Sequence, residues 1–340
     1  MLKQLRNVLA GVLMVAFGAV AQNLINGGGA TFPYPVYSKW FNEYSKKTGV
    51  MINYQSKGSG FGVQQITAGT VDFGASDYAL TDAQLKDFHD KRGMSLLAFP
   101  TVLGADVPAY NLKGVTAPLN FTPEALVGIF LGKITKWNDP ELTKANPGVN
   151  LPKSDIVVVH RAEGSGTTFI WVDFLSKVSK EWETKVGRGA SVQWPVGLGG
   201  QGNEGVAGQI EQTPNSIGYV ELTYVLQNKM QFGKVKNVNG EFVEASLASV
   251  TAAAAGAAKT MPDDFRVSIT NAPGKGAYPI SSFTWLLVPE KISDPAKKKV
   301  ITDFLGWMLK DGQTMTAALS YAPLPKEVVA KEQKAIARIK

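Results

Sequence analysis

The chain contains no cysteine and only two histidines, His89 and His160, in 340 residues. The first absence excludes disulfides, thiolate metal ligands, a cysteine nucleophile and a lipid anchor on an N-terminal cysteine. The second leaves too few imidazoles for an ordinary zinc centre, so a metal would have to rest on carboxylates. No cofactor and no metal are expected. Basic residues outnumber acidic ones 35 to 28, but no Lys/Arg block or basic-aromatic repeat gathers them into a nucleic-acid surface. A solvated basic exterior and a small anionic ligand remain compatible with that balance; a nucleic-acid partner is not expected. There is no Walker A sequence, and beyond the N-terminus no apolar run is long enough to cross a bilayer.

What is present begins with Lys3 and Arg6, an apolar run from Val8 to Val20 and the small residues Ala19, Val20 and Ala21. These are the parts of a secretory signal peptide, shorter than a membrane span, with cleavage expected near Ala21. The mature chain would start at Gln22 and, without Lys3 and Arg6, its formal charge would fall from +7 to +5. The 319 residues left after removing 21 from 340 suffice for two domains with substantial cores.

Helical and strand patterns alternate, as an α/β protein requires. Val36, Tyr37, Trp40, Phe41 and Tyr44 recur at helical spacing; "VMINYQS" and "IVVVH" read as short strands, the second apolar enough for a buried parallel one. Two long extended apolar runs, 96–112 and 278–290, differ from their neighbours and suggest crossings between lobes. The expected organisation is therefore 22–103 and 278–340 forming one lobe, with 104–277 inserted as the other. The alanine run "TAAAAGAAKT" predicts a surface helix, and the tail "KEVVAKEQKAIARIK" a solvated amphipathic one.

Three Gly-rich turns each precede a helical pattern: "GGGATFPYPVYSKWF", "KGSGFGVQQI" and "EGSGTTFIWVDFL". Free N–H groups and the positive end of the dipole make a helix start attractive to anions, and glycine lets a ligand approach the backbone. Ser and Thr also cap helices with no ligand present, so the turns do not name an anion. Arg161 follows "IVVVH" at a strand end, where ligands of open α/β sheets bind. Its guanidinium can grip an oxyanion with paired hydrogen bonds, and Glu163 can orient it; a surface ion pair is the other reading. Asp77 in "VDFGASD" is an acid where Coulomb's law disfavours one, unless the ligand carries a proton for the carboxylate to accept. Alternatively it caps the helix suggested by "LTDAQLKDF".

Enzyme signatures are poor. "GLGGQG" fits G-x-G-x-x-G with Glu221 downstream, but it follows "SVQWPV", a weak opening for a βαβ unit, and reads as a chance match or tight turn. "AEGSG" lacks the first glycine of a nucleophile elbow, and His160 is badly placed as a base for Ser165. No catalytic residue is assigned.

The stretches "GGGATFPYPVYSKW", "NYQSKGSGFGVQQI", "VDFGASD", "LGKITKWND", "RAEGSGTTF", "WPVGLGGQGNEGVA" and "SIGYVEL", in this order, resemble the periplasmic phosphate-binding proteins of high-affinity phosphate ABC transporters. The resemblance runs from about Gly27 into the C-terminal region. It implies a two-lobed periplasmic binding protein of the class II type, each lobe a mostly parallel sheet flanked by helices, joined by two crossing strands. It also implies a monomer that closes over inorganic phosphate in the periplasm and delivers it to an inner-membrane phosphate ABC permease. By motif, the phosphate-binding positions would be Thr31, Phe32 through its backbone N–H, Ser59, Asp77, Arg161, Ser165, Gly166 and Thr167. Asp77 would accept the ligand's proton and so reject sulfate. Two positions depart from the pattern: Glu163 stands where aspartate is common, and Phe61 where a smaller residue is expected. The start "NLINGGGAT" also resembles the DING proteins, which makes a secreted phosphomonoesterase the alternative.

Overall fold

The computed structural model describes residues 24–340, so the leader 1–21 lies outside the described residues. Strand β1 (Leu24–Gly29) leads into helix α1 (Tyr34–Thr48), and β2 (Met51–Ser56), α2 (Ser59–Ala68), β3 (Phe73–Ser76) and α3 (Asp82–Arg92) follow. Helix α1 buries Val36, Tyr37, Trp40, Phe41 and Tyr44, the stripe its spacing predicts, and stops at Gly49, whose φ of 74° suits a residue without Cβ. β1 pairs in parallel with both β2 and β3.

Then comes β4 (Leu96–Asn111), sixteen residues long and buried almost throughout. After it lie β5 (Asn120–Phe121), α4 (Pro123–Phe130), α5 (Pro140–Ala145), β6 (Val157–Arg161), α6 (Gly166–Val178) and α7 (Lys180–Lys185). β7 (Leu198–Gly200), α8 (Gly202–Gln212), β8 (Ser216–Glu221) and α9 (Leu222–Gln227) precede β9 (Gln231–Phe232), β10 (Lys234–Lys236), β11 (Phe242–Val243) and α10 (Leu247–Thr260). The chain finishes with β12 (Ser281–Pro289), α11 (Pro295–Met308) and α12 (Lys326–Ile336).

The main sheet runs β2-β1-β3-β12-β4-β8-β6-β7, with β9 added to β4, and a small sheet holds β11-β10-β5. β4 pairs with β12 from Leu96 to Ala105 and with β8 from Asp106 to Asn111. One strand thus serves both halves of a two-lobed α/β fold. The outer strands are parallel, β1 with its neighbours and β6 with β7 and β8; β12 and β4 at the centre are antiparallel. Strands β1, β3 and β6 end at the three places where the sequence puts Thr31, Asp77 and Arg161.

Three local readings change. The alanine helix α10 is not a surface ornament: Val250, Ala253, Ala254 and Ala258 are buried, because alanine lets a helix sit close to the strands beneath it. Tail helix α12 buries Glu332 completely alongside Val328, and neither carboxyl oxygen of Glu332 has a hydrogen-bond partner. "GLGGQG" does open a β–α–β unit, since β7 and β8 both pair in parallel with β6 and α8 joins them.

Candidate functional site

The first jaw is built on glycine. A Cβ on Gly29, whose φ is 144°, would lie 2.2 Å from the carbonyl oxygen of Ala75, so only glycine lets β1 pass this close to β3. The Gly29 carbonyl then accepts the N–H groups of Lys57 and Gly58 at 3.0 and 2.8 Å, drawing the turn before α2 onto the turn before α1. Phe61 fits there because its ring lies over the bare backbone of Gly28, with the Lys57 ammonium 5.4 Å from the ring centroid. Thr31, Phe32 and Ser59 are buried as a result.

Asp77 follows β3 and is 1% exposed. The Ser59 hydroxyl donates to its Oδ2 at 3.1 Å and accepts the Asp77 backbone N–H at 3.1 Å, while the Thr284 hydroxyl donates to Oδ1 at 2.7 Å. Ser59 therefore spends its proton on Asp77. Burial pushes the Asp77 carboxyl up to about 7, against the lowering pull of Thr284, Ser59 and Arg161. The helix that follows is capped by Thr81, in a reciprocal box with Gln84, so Asp77 is not its cap.

The second jaw starts at Arg161, the last residue of β6, whose side chain is 1% exposed. A surface ion pair is excluded by that burial. Its backbone N–H donates to the Tyr219 hydroxyl at 3.0 Å, and that hydroxyl meets Thr168 Oγ1 at 2.7 Å. The guanidinium Nε donates to Glu163 Oε1 at 2.8 Å, Nη2 bonds the same oxygen, and Nη1 donates to Thr167 Oγ1 at 2.9 Å. Of the five N–H donors an arginine carries, two are left over. Ser165 caps α6: its Oγ accepts the Thr168 N–H at 3.1 Å and its carbonyl the Phe169 N–H. The amides of Gly166 and Thr167, first in the helix, have no intrahelical acceptor by position.

The jaws touch. Gly60 N–H donates to the Gly164 carbonyl at 2.9 Å, and the rings of Tyr78 and Phe169 stack with centroids 5.0 Å apart. A cleft of about 580 Å³ borders the site at Asp77 and Ser282 and carries Tyr78, Phe169, Arg188 and Arg266 in its wall. Two more acids, Asp106 and Glu221, are buried opposite each other on β4 and β8. Burial raises both carboxyls well above the usual range; the charge of Asp77 reinforces both shifts and that of Glu221 adds to the Asp106 shift.

Sequence reasoning missed Asn203 and Thr284. Asn203 follows "GLGGQG" at the start of α8 and bonds residues of both jaws; Thr284 is the polar member of the apolar run "FTWLLV", an interruption that could have flagged it. The amides at the start of α8 are already taken, Gly202 by Glu163 Oε1 at 3.1 Å and Asn203 by Thr31 Oγ1 at 3.2 Å. Glu221 caps α9 through the Thr223 N–H. No dinucleotide cradle survives there. His160 stacks on Trp194 at 4.9 Å and its Nδ1 meets the Arg161 carbonyl at 3.0 Å, so it does not serve Ser165. Among the described residues no His/Cys/Asp/Glu cluster could hold a metal, and no helix is long and apolar enough to cross a membrane.

A family model described as a PBP superfamily domain matches residues 18–312. The Phosphate-binding protein PstS of Pasteurella multocida is 46% identical over 96% of this chain and 94% of its own length. The chain belongs to the PstS family. PstS of Xylella fastidiosa is 47% identical over 90% of this chain and 82% of that protein, and PstS of Methanocaldococcus jannaschii 37% identical over 90% and 83%. Among solved structures, a high-affinity periplasmic phosphate-binding protein with phosphate bound (PfluDING) superposes with a TM-score of 0.73 at 23% identity, covering 91% of this chain and 93% of that one. A human phosphate binding apolipoprotein gives 0.73 at 21% identity over the same shares. At such identities these two likenesses speak for the fold of the PstS family member alone.

Proposed function

We propose that this protein binds inorganic phosphate between its lobes by hinge closure. The observation that carries the reading is one enclosed site with Arg161, spare N–H donors of α6 and hydroxyls on one side and a buried carboxylate, Asp77, on the other. Donors suit the phosphate oxygens; Asp77 suits the ligand's proton. Thr31, Phe32, Ser59, Arg161, Ser165, Gly166 and Thr167 supply the donors, Ser59 chiefly through its backbone because its hydroxyl is spent on Asp77. Glu163 orients Arg161.

Residues 22–103 and 278–340 form one lobe and 104–277 the other, a division supported by β4 changing partners between Ala105 and Asp106. The chain is exported with residues 1–21 removed, works as a periplasmic monomer, and hands phosphate to an inner-membrane ABC permease; the PstS relationship supports that setting. A binding rather than catalytic role is favoured by Ser165, whose Oγ is a helix cap with no histidine beside it. The deciding experiment is calorimetric titration of protein stripped of ligand by unfolding and refolding. One-to-one binding of phosphate without heat from sulfate is expected, and silence toward phosphate from folded protein would overturn the reading.

A further inference from the structure

Asn203 is fully buried at the start of α8, and its orientation is fixed by a partner that can only donate: the Glu221 backbone N–H gives to Asn203 Oδ1 at 2.9 Å. The amide nitrogen therefore faces the other way. There Nδ2 donates to Thr31 Oγ1 at 3.0 Å and to Thr167 Oγ1 at 3.1 Å, one hydrogen to each jaw. Thr31 Oγ1 also accepts the Asn203 backbone N–H at 3.2 Å, and Thr167 Oγ1 also accepts Arg161 Nη1 at 2.9 Å.

A hydroxyl has two lone pairs and one proton. Both lone pairs of Thr31 are occupied by Asn203, and both of Thr167 by Asn203 and Arg161. Each threonine can then do only one further thing, which is to donate. Both are buried, and among the described residues no acceptor takes either proton. Two buried donors without acceptors are costly unless a ligand supplies them.

We propose that Asn203 is a specificity-determining positioning residue: it locks the Thr31 and Thr167 hydroxyls as obligate donors, so that the closed site demands acceptor oxygens. This rests on the phosphate reading and deepens it. A free hydroxyl could turn and accept from a protonated or neutral ligand; these two cannot. Asp77 is then an acceptor set among donors, and the ligand must offer several acceptor oxygens and a proton.

The test is a mutant cycle read by phosphate titration of stripped protein. Asn203→Asp keeps the volume and the acceptor for the Glu221 N–H but turns the threonine hydroxyls toward the new carboxylate. It also adds a charge, so the same change is made in a T31V/T167V background, where only the charge effect persists. The expected result is a loss of affinity at least tenfold larger in the wild-type background than in the double-valine one. Equal losses in both backgrounds would overturn the proposal while leaving phosphate binding intact. A wild type silent toward phosphate would overturn the binding reading and this inference with it. Should Asn203→Asp not fold, Asn203→Ala removes both donors without charge, with the same contrast between backgrounds expected and equal losses again fatal. Melting of the ligand-free variants separates folding defects from lost affinity.

Discussion

Gly166 lies so close to Asp77 that a β-carbon on the glycine would come within 2.5 Å of the aspartate Cβ and 2.4 Å of Ser59 Oγ. Neither neighbour is a loose side-chain end. Both are buried and tied together, and Asp77 is further held by Thr284. The start of α6 can thus approach the first jaw only while residue 166 has no side chain.

Gly166→Ala should therefore weaken phosphate binding. Forcing a methyl into a packed site costs about 1–3 kcal/mol, which corresponds to roughly 5- to 150-fold in affinity. Alanine is the better helix former, so the helix itself loses nothing. Titration checks the affinity, and an unchanged value would show that ligand binding does not need this contact between the jaws.

Asp77→Asn should relax discrimination against sulfate. At pH 8, above its raised value of about 7, the Asp77 carboxylate is ionised and can only accept, and an unprotonated dianion offers it nothing; an amide can present N–H to that same oxygen. Competition titrations of sulfate against phosphate on wild type and D77N read the ratio directly. Unchanged selectivity would remove Asp77 from the role of proton acceptor.

The same carboxyl links stability to pH. Burial raises Asp77 to about 7 in the folded protein, above the unfolded value near 4. A group shifted upward contributes stability that is complete below its unfolded value and lost as pH rises through its folded one. Asp106, Glu221 and Glu332 are raised by burial too, so their contributions decline in the same direction. Surface carboxylates held low by lysines, Glu181 among them, act below this window. The stripped protein should melt at progressively lower temperature as pH rises from about 4 to 7, each carboxyl contributing up to about 1.4 kcal/mol per pH unit while it titrates. D77N should flatten part of that slope, and a slope equal to wild type would assign it wholly to the other acids.

Much of this was legible in the chain because glycine and charge announce themselves. The three Gly-rich turns do open helices α1, α2 and α6, and Arg161 does close strand β6. The stripe of α1 and the long run that became β4 were readable from hydrophobic pattern alone. What escaped was whatever depended on contacts across the fold. Asn203 looks like one polar residue in a glycine turn, and nothing local says that its amide will reach Thr31, 172 residues away. Glu332 in a lysine-rich tail reads as solvated until the tail packs onto the body. Alanine hides in a similar way, since a run with high helix propensity says nothing of which face α10 will bury.

The pairing of Arg161 with Glu163 yields the last expectation. Glu163 Oε1 accepts from the guanidinium and from the Gly202 N–H, so it both aims the arginine and competes with an anion for its charge. A glutamine can accept the same bonds through its carbonyl oxygen but carries no charge. In Glu163→Gln the arginine stays aimed, yet its buried charge is no longer balanced. The ligand-free protein should lose about 1–3 kcal/mol of stability, the scale of an ion-paired hydrogen bond weakened to one between a cation and a neutral carbonyl. Phosphate then becomes the better partner for Arg161, and its affinity should rise relative to wild type. Melting of stripped protein and phosphate titration give the two halves of the result. Reduced affinity with unchanged melting would reverse the conclusion: the glutamate would matter for holding the guanidinium in place, and its charge would not compete with the ligand at all.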